Sequence, residues 1–222
     1  MNACVKVANT VYILDDDAYV REGLENLLQS LELHVVTFDS VADFLKNVDP
    51  DEPGCLVLDV RLPGPSGLDL QAELKRSNIE IPIVFITGYG DIPMTVQAMR
   101  AGAVEFLTKP VREQELVDAI HIALKRDHER RETAAAAADL RTRYDALTAR
   151  EREVVALVTS GKMNKQIAHE LRVSEVTVKL YRQNAMKKLG ARSVVDLVRI
   201  ADAVRDCRAA GNTTTRNQGF PL

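Results

Sequence analysis

Asp15, Asp16 and Asp17 directly follow the apolar run Val11–Leu14, and Asp59 directly follows Cys55–Leu58. Carboxylates gathered in one place repel. A hard divalent cation relieves that repulsion, and an all-oxygen donor set with room for water favours Mg2+ over zinc. Thr87 follows Ile81–Ile86, and Lys109 follows Val104–Leu107, adding a hydroxyl and an ammonium group. With this set, a carboxylate nucleophile at Asp59 could attack a phosphoryl donor in line. The cation and Lys109 would neutralise oxygen charge, and the Thr87 hydroxyl would donate to the transferred group, leaving an aspartyl phosphate. Each residue alone has an ordinary reading: a turn-capping Asp, a solvated Lys, a strand-forming Thr. Their coincidence at four strand ends is what points to chemistry.

The elements that must position these groups are legible in the first half of the chain. Five apolar runs read as strands: Val11–Leu14, His34–Phe38, Cys55–Leu58, Ile81–Ile86 and Val104–Leu107. They alternate with amphipathic stretches, the pattern of a parallel sheet covered by helices on both faces. Val20, Leu24, Leu27, Leu28 and Leu31 repeat at helical spacing in the first helix. Val96, Met99 and the stop at Gly102 define the fourth, and a fifth starts at Glu113 and runs towards Arg131. In a flavodoxin-like sheet of order 2-1-3-4-5, the first and third strands are neighbours at the topological switch point, so their terminal carboxylates converge on one crevice.

At 222 residues the chain suits two compact units. Residues 1–125 carry 10 Lys/Arg and 20 Asp/Glu, whereas residues 148–222 carry 14 and seven. An acidic first unit suits a cation site, and a basic second unit suits an anionic polymer. Arg126–Asp139 is charged and then alanine-rich, rich in helix formers but poor in large apolar groups, so residues 127–146 read as a helical linker. Thr148 and Glu151 form a capping box, opening an all-α unit of four helices over residues 147–207; residues 208–222 read as a disordered tail. No leader and no apolar run long enough to cross a bilayer stands out, so a cytoplasmic location with no membrane partner is expected. Cys4, Cys55 and Cys207 have no paired spacing, which leaves Cys55 as a small core residue.

Within the second unit, Asn164–Leu171 reads as a short helix, Arg172–Val173 as a turn, and Ser174 as the N-cap of a helix continuing to Leu189. This is helix-turn-helix spacing. Val178, Tyr181, Ala185 and Leu189 step along one face that must pack inward, so Lys179, Arg182, Gln183 and Lys187 face outward. Basic and amide side chains on such a helix can reach phosphates and major-groove base edges, although a merely solvated cationic face is the commoner fate of such residues.

The motifs VYILDDD, CLVLDVRLPGPSG, VFITGYGD and EFLTKP, over about residues 5–126, resemble the receiver domains of two-component response regulators. The segment LTAREREVVALVTSGKMNKQIAHELRVSEVTVKLYRQNAMKKLGARS is similar to LuxR-type DNA-binding domains. The combination resembles the FixJ/NarL class, and the turn TGYGDIPMTV resembles its FixJ branch. The resemblance implies that Asp59 accepts a phosphoryl group, and that Asp15, Asp16, Asp59 and the Arg61 backbone carbonyl hold Mg2+. It implies that Thr87 is the switch hydroxyl and Lys109 its cationic companion. Phe106 matches the aromatic that turns inward when Thr87 moves, an ordinary buried strand Phe being the alternative. Lys109–Pro110 is expected to be cis, and Arg61 and Tyr89 flank the pocket. On DNA, the resemblance puts Lys179, Leu180 and Gln183 on bases, and Asn164, Lys165, Thr177 and Arg182 on phosphates, with Lys187 on the same outward face. Tyr181 departs from the His frequent at its position in the family. The partners implied are a sensor histidine kinase, promoter DNA, RNA polymerase and, on phosphorylation, a second copy of the chain; the implied outcome is transcriptional regulation, most readily activation, with no turnover enzyme activity.

Two rival readings are weaker. A phosphohydrolase of the haloacid dehalogenase type also uses a strand-end aspartate with Mg2+, but it needs a second acid two residues after the nucleophile, where this chain has Arg61. A receiver-like scaffold that binds DNA without phosphorylation would not require Asp59, Thr87 and Lys109 together.

Overall fold

The computed structural model describes residues 9–88 and 90–214, with side chains described as far as Arg205. Five parallel strands form a single sheet of order β2-β1-β3-β4-β5. They are β1 (Thr10–Leu14), β2 (His34–Phe38), β3 (Gly54–Asp59), β4 (Ile83–Thr87) and β5 (Glu105–Thr108). The central strands β1, β3 and β4 are buried along their whole length, as their near-continuous apolar sequences require. β4 begins at Ile83, not at Ile81, because Pro82 has no N–H to give to the ladder and offers only its carbonyl, to Leu56 N–H at 2.9 Å.

Side-chain alternation along the strands splits the core into two layers. Tyr12, Leu14, Leu56, Leu58 and Phe85 lie on one face with Phe44, Leu70 and Leu74. These come from α2 (Val41–Asn47) and α3 (Gly67–Arg76), and Ala98 of α4 (Ile92–Arg100) joins them. Val11, Ile13, Val57, Val84 and Ile86 lie on the other face with Leu28 of α1 (Ala18–Ser30) and with Leu116 and Ile120 of α5 (Glu113–Asp145). Cys55 lies in this second layer, fully buried, and burial pushes its thiol up to about 12. Each fully buried Leu, Ile or Phe contributes about 1.5–3 kcal/mol.

The 33-residue α5 is one uninterrupted helix, so the expected linker is helical but has no start of its own. The chain divides into compact units after Arg131, later than Arg126, and the reason is local. Asp127, 1% exposed, accepts from Gly54 N–H (3.1 Å), Arg130 Nη2 (2.7 Å) and Arg131 Nε (2.6 Å). Arg131 in turn donates to the carbonyls of Pro50, Asp51 and Glu52. This second turn beyond Arg126 is therefore fastened to the segment that leads into β3.

The second unit contains α6 (Ala149–Thr159), α7 (Asn164–Leu171), α8 (Glu175–Leu189) and α9 (Val194–Thr214). The Thr148–Glu151 capping box forms as the sequence indicates. Val154, Val155, Val158, Ile167, Val178, Ala185, Leu189 and Leu197 build its core. α9 starts where Ser193 Oγ accepts from Asp196 N–H at 3.0 Å. Its backbone is helical to Thr214, beyond the Cys207 boundary that the sequence suggests. The remainder of that expected tail, residues 215–222, lies outside the described residues.

Candidate functional site

Because β1 and β3 are hydrogen-bonded neighbours with Leu14 opposite Leu58, the residues that follow them emerge side by side. Ligand oxygens of Asp15, Asp16 and Asp59 all lie within 4.8 Å of one another. Asp15 is fully buried, Asp59 is 6% exposed, and Asp16 is exposed at the mouth. Asp17 stands apart as the N-cap of α1, its side chain accepting from Tyr19 and Val20 N–H.

Lys109 follows β5 and reaches across to both buried carboxylates, its Nζ 2.6 Å from Asp15 Oδ2 and 2.6 Å from Asp59 Oδ2. The other oxygens are also engaged: Asp15 Oδ1 accepts from Asp17 N–H (3.0 Å), and Asp59 Oδ1 accepts from Arg61 N–H (3.0 Å). Burial pushes the Asp15 carboxyl above its ordinary range, against the opposing pull of Lys109. For Lys109, burial works to lower the pKa, but the hydrogen bonds and charges of Asp15 and Asp59 prevail and raise it, so the ammonium stays charged. The Lys109–Pro110 peptide is cis, as expected from the motif, and Lys109 N–H donates to the Thr87 carbonyl at 2.7 Å. The chemistry of this donor set fits Mg2+: three carboxylates of differing exposure, all hard oxygen, with one side open to solvent.

Thr87 ends β4 and is fully buried, within the same rim of strand ends. Phe106 is partly buried and packs against the first core layer, its ring 6.0 Å from that of Phe85. Two glycines whose role is not legible in the sequence are required here. A Cβ on Gly90 would lie 2.8 Å from Phe106 Cε1 and 3.2 Å from Thr87 Cγ2, so the loop after β4 closes on both residues only because position 90 lacks a side chain. A Cβ on Gly67 would lie 2.4 Å from the Asp59 carbonyl, which lets α3 start directly beside the β3 terminus. A run such as GPSG or TGYG signals a turn, but which backbone or ring comes close is a tertiary fact. Tyr89, expected to flank the pocket, lies outside the described residues.

In the second unit the helix-turn-helix forms as read: α7, a turn at Arg172 with φ 55°, and α8 capped by Ser174. Val178, Ala185 and Leu189 are buried and Tyr181 packs against the same core, so its departure from the family's His is absorbed as packing. Lys179, Leu180, Gln183 and Lys187 are exposed. Asn164, Lys179, Arg182, Gln183 and Lys187 line one cleft of about 400 Å3, where Arg182 Nη1 donates to Asn164 Oδ1 at 3.3 Å. Lys165 instead lines a separate depression with Lys162, Gln166, His169, Glu170 and Arg172. Thr177 is tied to the helix start, its N–H donating to Ser174 Oγ at 3.1 Å.

Residues 11–121 match the response regulator receiver domain, and residues 145–201 match the family of bacterial regulatory proteins called luxR. Nodulation protein W of Bradyrhizobium diazoefficiens is 53% identical over 87% of this chain and 86% of its own. Among solved structures, the response regulator StyR has a TM-score of 0.81 at 51% identity, covering 88% of this chain and 98% of its own. Full-length FixJ from B. japonicum has a TM-score of 0.54 at 37% identity, covering 89% and 98%. The chain therefore belongs to the response regulators that join a receiver domain to a LuxR-type DNA-binding domain, the FixJ-like transcriptional regulators of two-component systems. No described helix is long and apolar enough to cross a membrane.

Proposed function

We propose that Asp59 accepts a phosphoryl group from the phosphohistidine of a sensor kinase and that the resulting charge controls DNA binding by α8. The observation that carries this reading is the convergence of Asp15, Asp16 and Asp59 with Lys109 at the ends of β1, β3 and β5. An Asp59 carboxylate oxygen attacks phosphorus, the P–N bond breaks, and the imidazole leaves with the electron pair and takes up a proton. Asp15, Asp16, Asp59 and the Arg61 carbonyl would hold Mg2+, which when bound neutralises charge on the transferred oxygens. Lys109 releases one carboxylate partner and pairs with a phosphoryl oxygen. The buried Thr87 hydroxyl donates to another, and Phe106 repacks beside Gly90 as Thr87 moves.

The altered surface around α4 and β5 then favours a symmetric dimer, and two α8 helices engage promoter DNA together. Lys179, Leu180 and Gln183 address base edges, Asn164, Lys165, Thr177 and Arg182 address phosphates, and Lys187 faces the DNA on the same side of α8. The outcome is activation of transcription through RNA polymerase, in the cytoplasm, without turnover of a substrate by the chain itself. Footprinting of the protein's own upstream region, with and without acetyl phosphate and Mg2+, tests this. Protection that appears only with the phosphodonor is expected; equal protection by unphosphorylated protein and by Asp59→Asn would favour the phosphorylation-independent reading.

A further inference from the structure

On α8, the outward face is not uniformly polar. Val176 is 75% exposed and Leu180 is 54% exposed, one helical turn apart, while Val178, Ala185 and Leu189 occupy the buried face. Val176 is β-branched and stands in the exposed first turn, where it gains nothing from burial and is a poorer helix former than Ala or Glu. Together with Lys179 and Gln183 the pair makes one stripe at spacings of three, four and seven residues, the side of a helix that a groove would meet.

The surroundings decide what covers this strip. Lys179 and Lys187 are exposed along the same helix and Arg182 lies in the adjoining cleft, so cations border the strip on the C-terminal side of Glu175, the acid of the first turn. Two apolar side chains within such a cationic border are too few for a protein core interface, but they suit the major groove. There the phosphates answer the cations, and the thymine C5-methyl is the apolar group on offer. We propose that Val176 is a specificity-determining residue that, with Leu180, reads thymine methyl groups in the operator. This rests on α8 being the base-reading helix and adds the chemical group it reads. Four residues of helix rise about 6 Å, and successive bases are about 3.4 Å apart, so the two thymines fall within about two base steps of each other.

The test uses full-length protein phosphorylated with acetyl phosphate and duplexes selected by it from a randomised library. Each thymine is replaced singly by deoxyuridine, which removes the methyl group and leaves base pairing intact. Wild-type protein should lose about fourfold in affinity at two such positions per half-site, the fold-change matching about 0.8 kcal/mol for one buried apolar carbon. Val176→Ala should abolish the sensitivity at one position and Leu180→Ala at the other, and Val176→Ser should behave like Val176→Ala while its melting curve stays that of wild type. Wild-type indifference to every replacement, with Lys179→Ala still abolishing specific binding, would overturn the methyl proposal and leave α8 as the reading helix. Unchanged binding by Lys179→Ala would overturn both.

Discussion

Lys109 Nζ stands 2.6 Å from Asp59 Oδ2, although the whole of α3, β4, α4 and β5 separates the two residues in sequence. The same ammonium group is as close to Asp15, so a single cation balances two carboxylates that the sheet has taken out of water. Only Asp16, exposed at the mouth, has no part in that balance. A divalent ion held by these carboxylates would share in that charge balance.

Mg2+ should therefore stabilise the receiver by mass action, by about 2.7 kcal/mol at a concentration 100 times its dissociation constant. Asp16→Ala should remove this response while leaving metal-free stability within about 0.5 kcal/mol of wild type, because Asp16 is a surface residue. Urea unfolding with and without Mg2+ measures both. An undiminished metal response in Asp16→Ala would remove that residue from the ligand set.

Gly90 should be coupled to Phe106. Gly90→Ala places a Cβ where the ring now lies 2.8 Å away and should cost about 1–3 kcal/mol through overpacking. Phe106→Leu should relieve most of that cost. A double-mutant cycle reads the coupling, and strict additivity would show that the ring moves aside freely.

The buried Asp127 should be a stability determinant of the first unit. Asp127→Ala leaves Gly54 N–H without its acceptor and takes one carboxylate from each of two guanidinium groups, Arg130 keeping Glu80 and Arg131 keeping the carbonyls of residues 50–52. Breaking such a pair costs about 3–5 kcal/mol when fully buried. Arg130 and Arg131 side chains are 32% and 27% exposed and can rehydrate, so the lower end of that range, about 3 kcal/mol, is expected from urea midpoints. A loss below about 1 kcal/mol would place this cluster among ordinary surface pairs.

Much of this arrangement is visible in the chain itself, and the division follows the range of the interactions. The strand ends, Asp15, Asp16, Asp59, Thr87 and Lys109, follow from local periodicity plus one topological rule, because parallel strands must deliver their carboxyl ends to the same side. The helix-turn-helix is legible for the same reason, since Ser174 and the step from Val178 to Leu189 are short-range signals. Asp127 and Arg131 carry no such signal, because a charged helical stretch looks alike whether it meets water or a carbonyl cluster at residues 50–52. The need for Gly67 and Gly90 is not legible in sequence, because each close approach depends on residues from other elements. The exposure of Val176 is hidden in sequence, because an apolar residue in an amphipathic helix ordinarily belongs to the core.

The Glu151–Lys188 pair gives the second unit an acid-sensitive contact. Burial alone would raise the Glu151 carboxyl, but Lys188 Nζ at 2.7 Å and the Thr148 hydrogen bonds outweigh it and hold it below the ordinary carboxylate range. Its stabilisation is therefore complete above the unfolded value, about 4.3, and is lost as pH falls through the lower folded value. Hydrogen exchange of α6 amides between neutral and acid pH should show an acid-dependent loss of protection that Glu151→Gln diminishes. The same acid dependence in both proteins would assign the effect to other groups.

The central claim is that the carboxylate of Asp59 is the group that becomes phosphorylated. Intact-mass spectrometry of the full chain after exposure to acetyl phosphate and Mg2+, followed by mapping of the modified peptide, addresses it directly. One phosphoryl adduct on Asp59, absent without Mg2+ and absent in Asp59→Asn, is the predicted result. An adduct on another residue, or one that survives Asp59→Asn undiminished, would contradict the account.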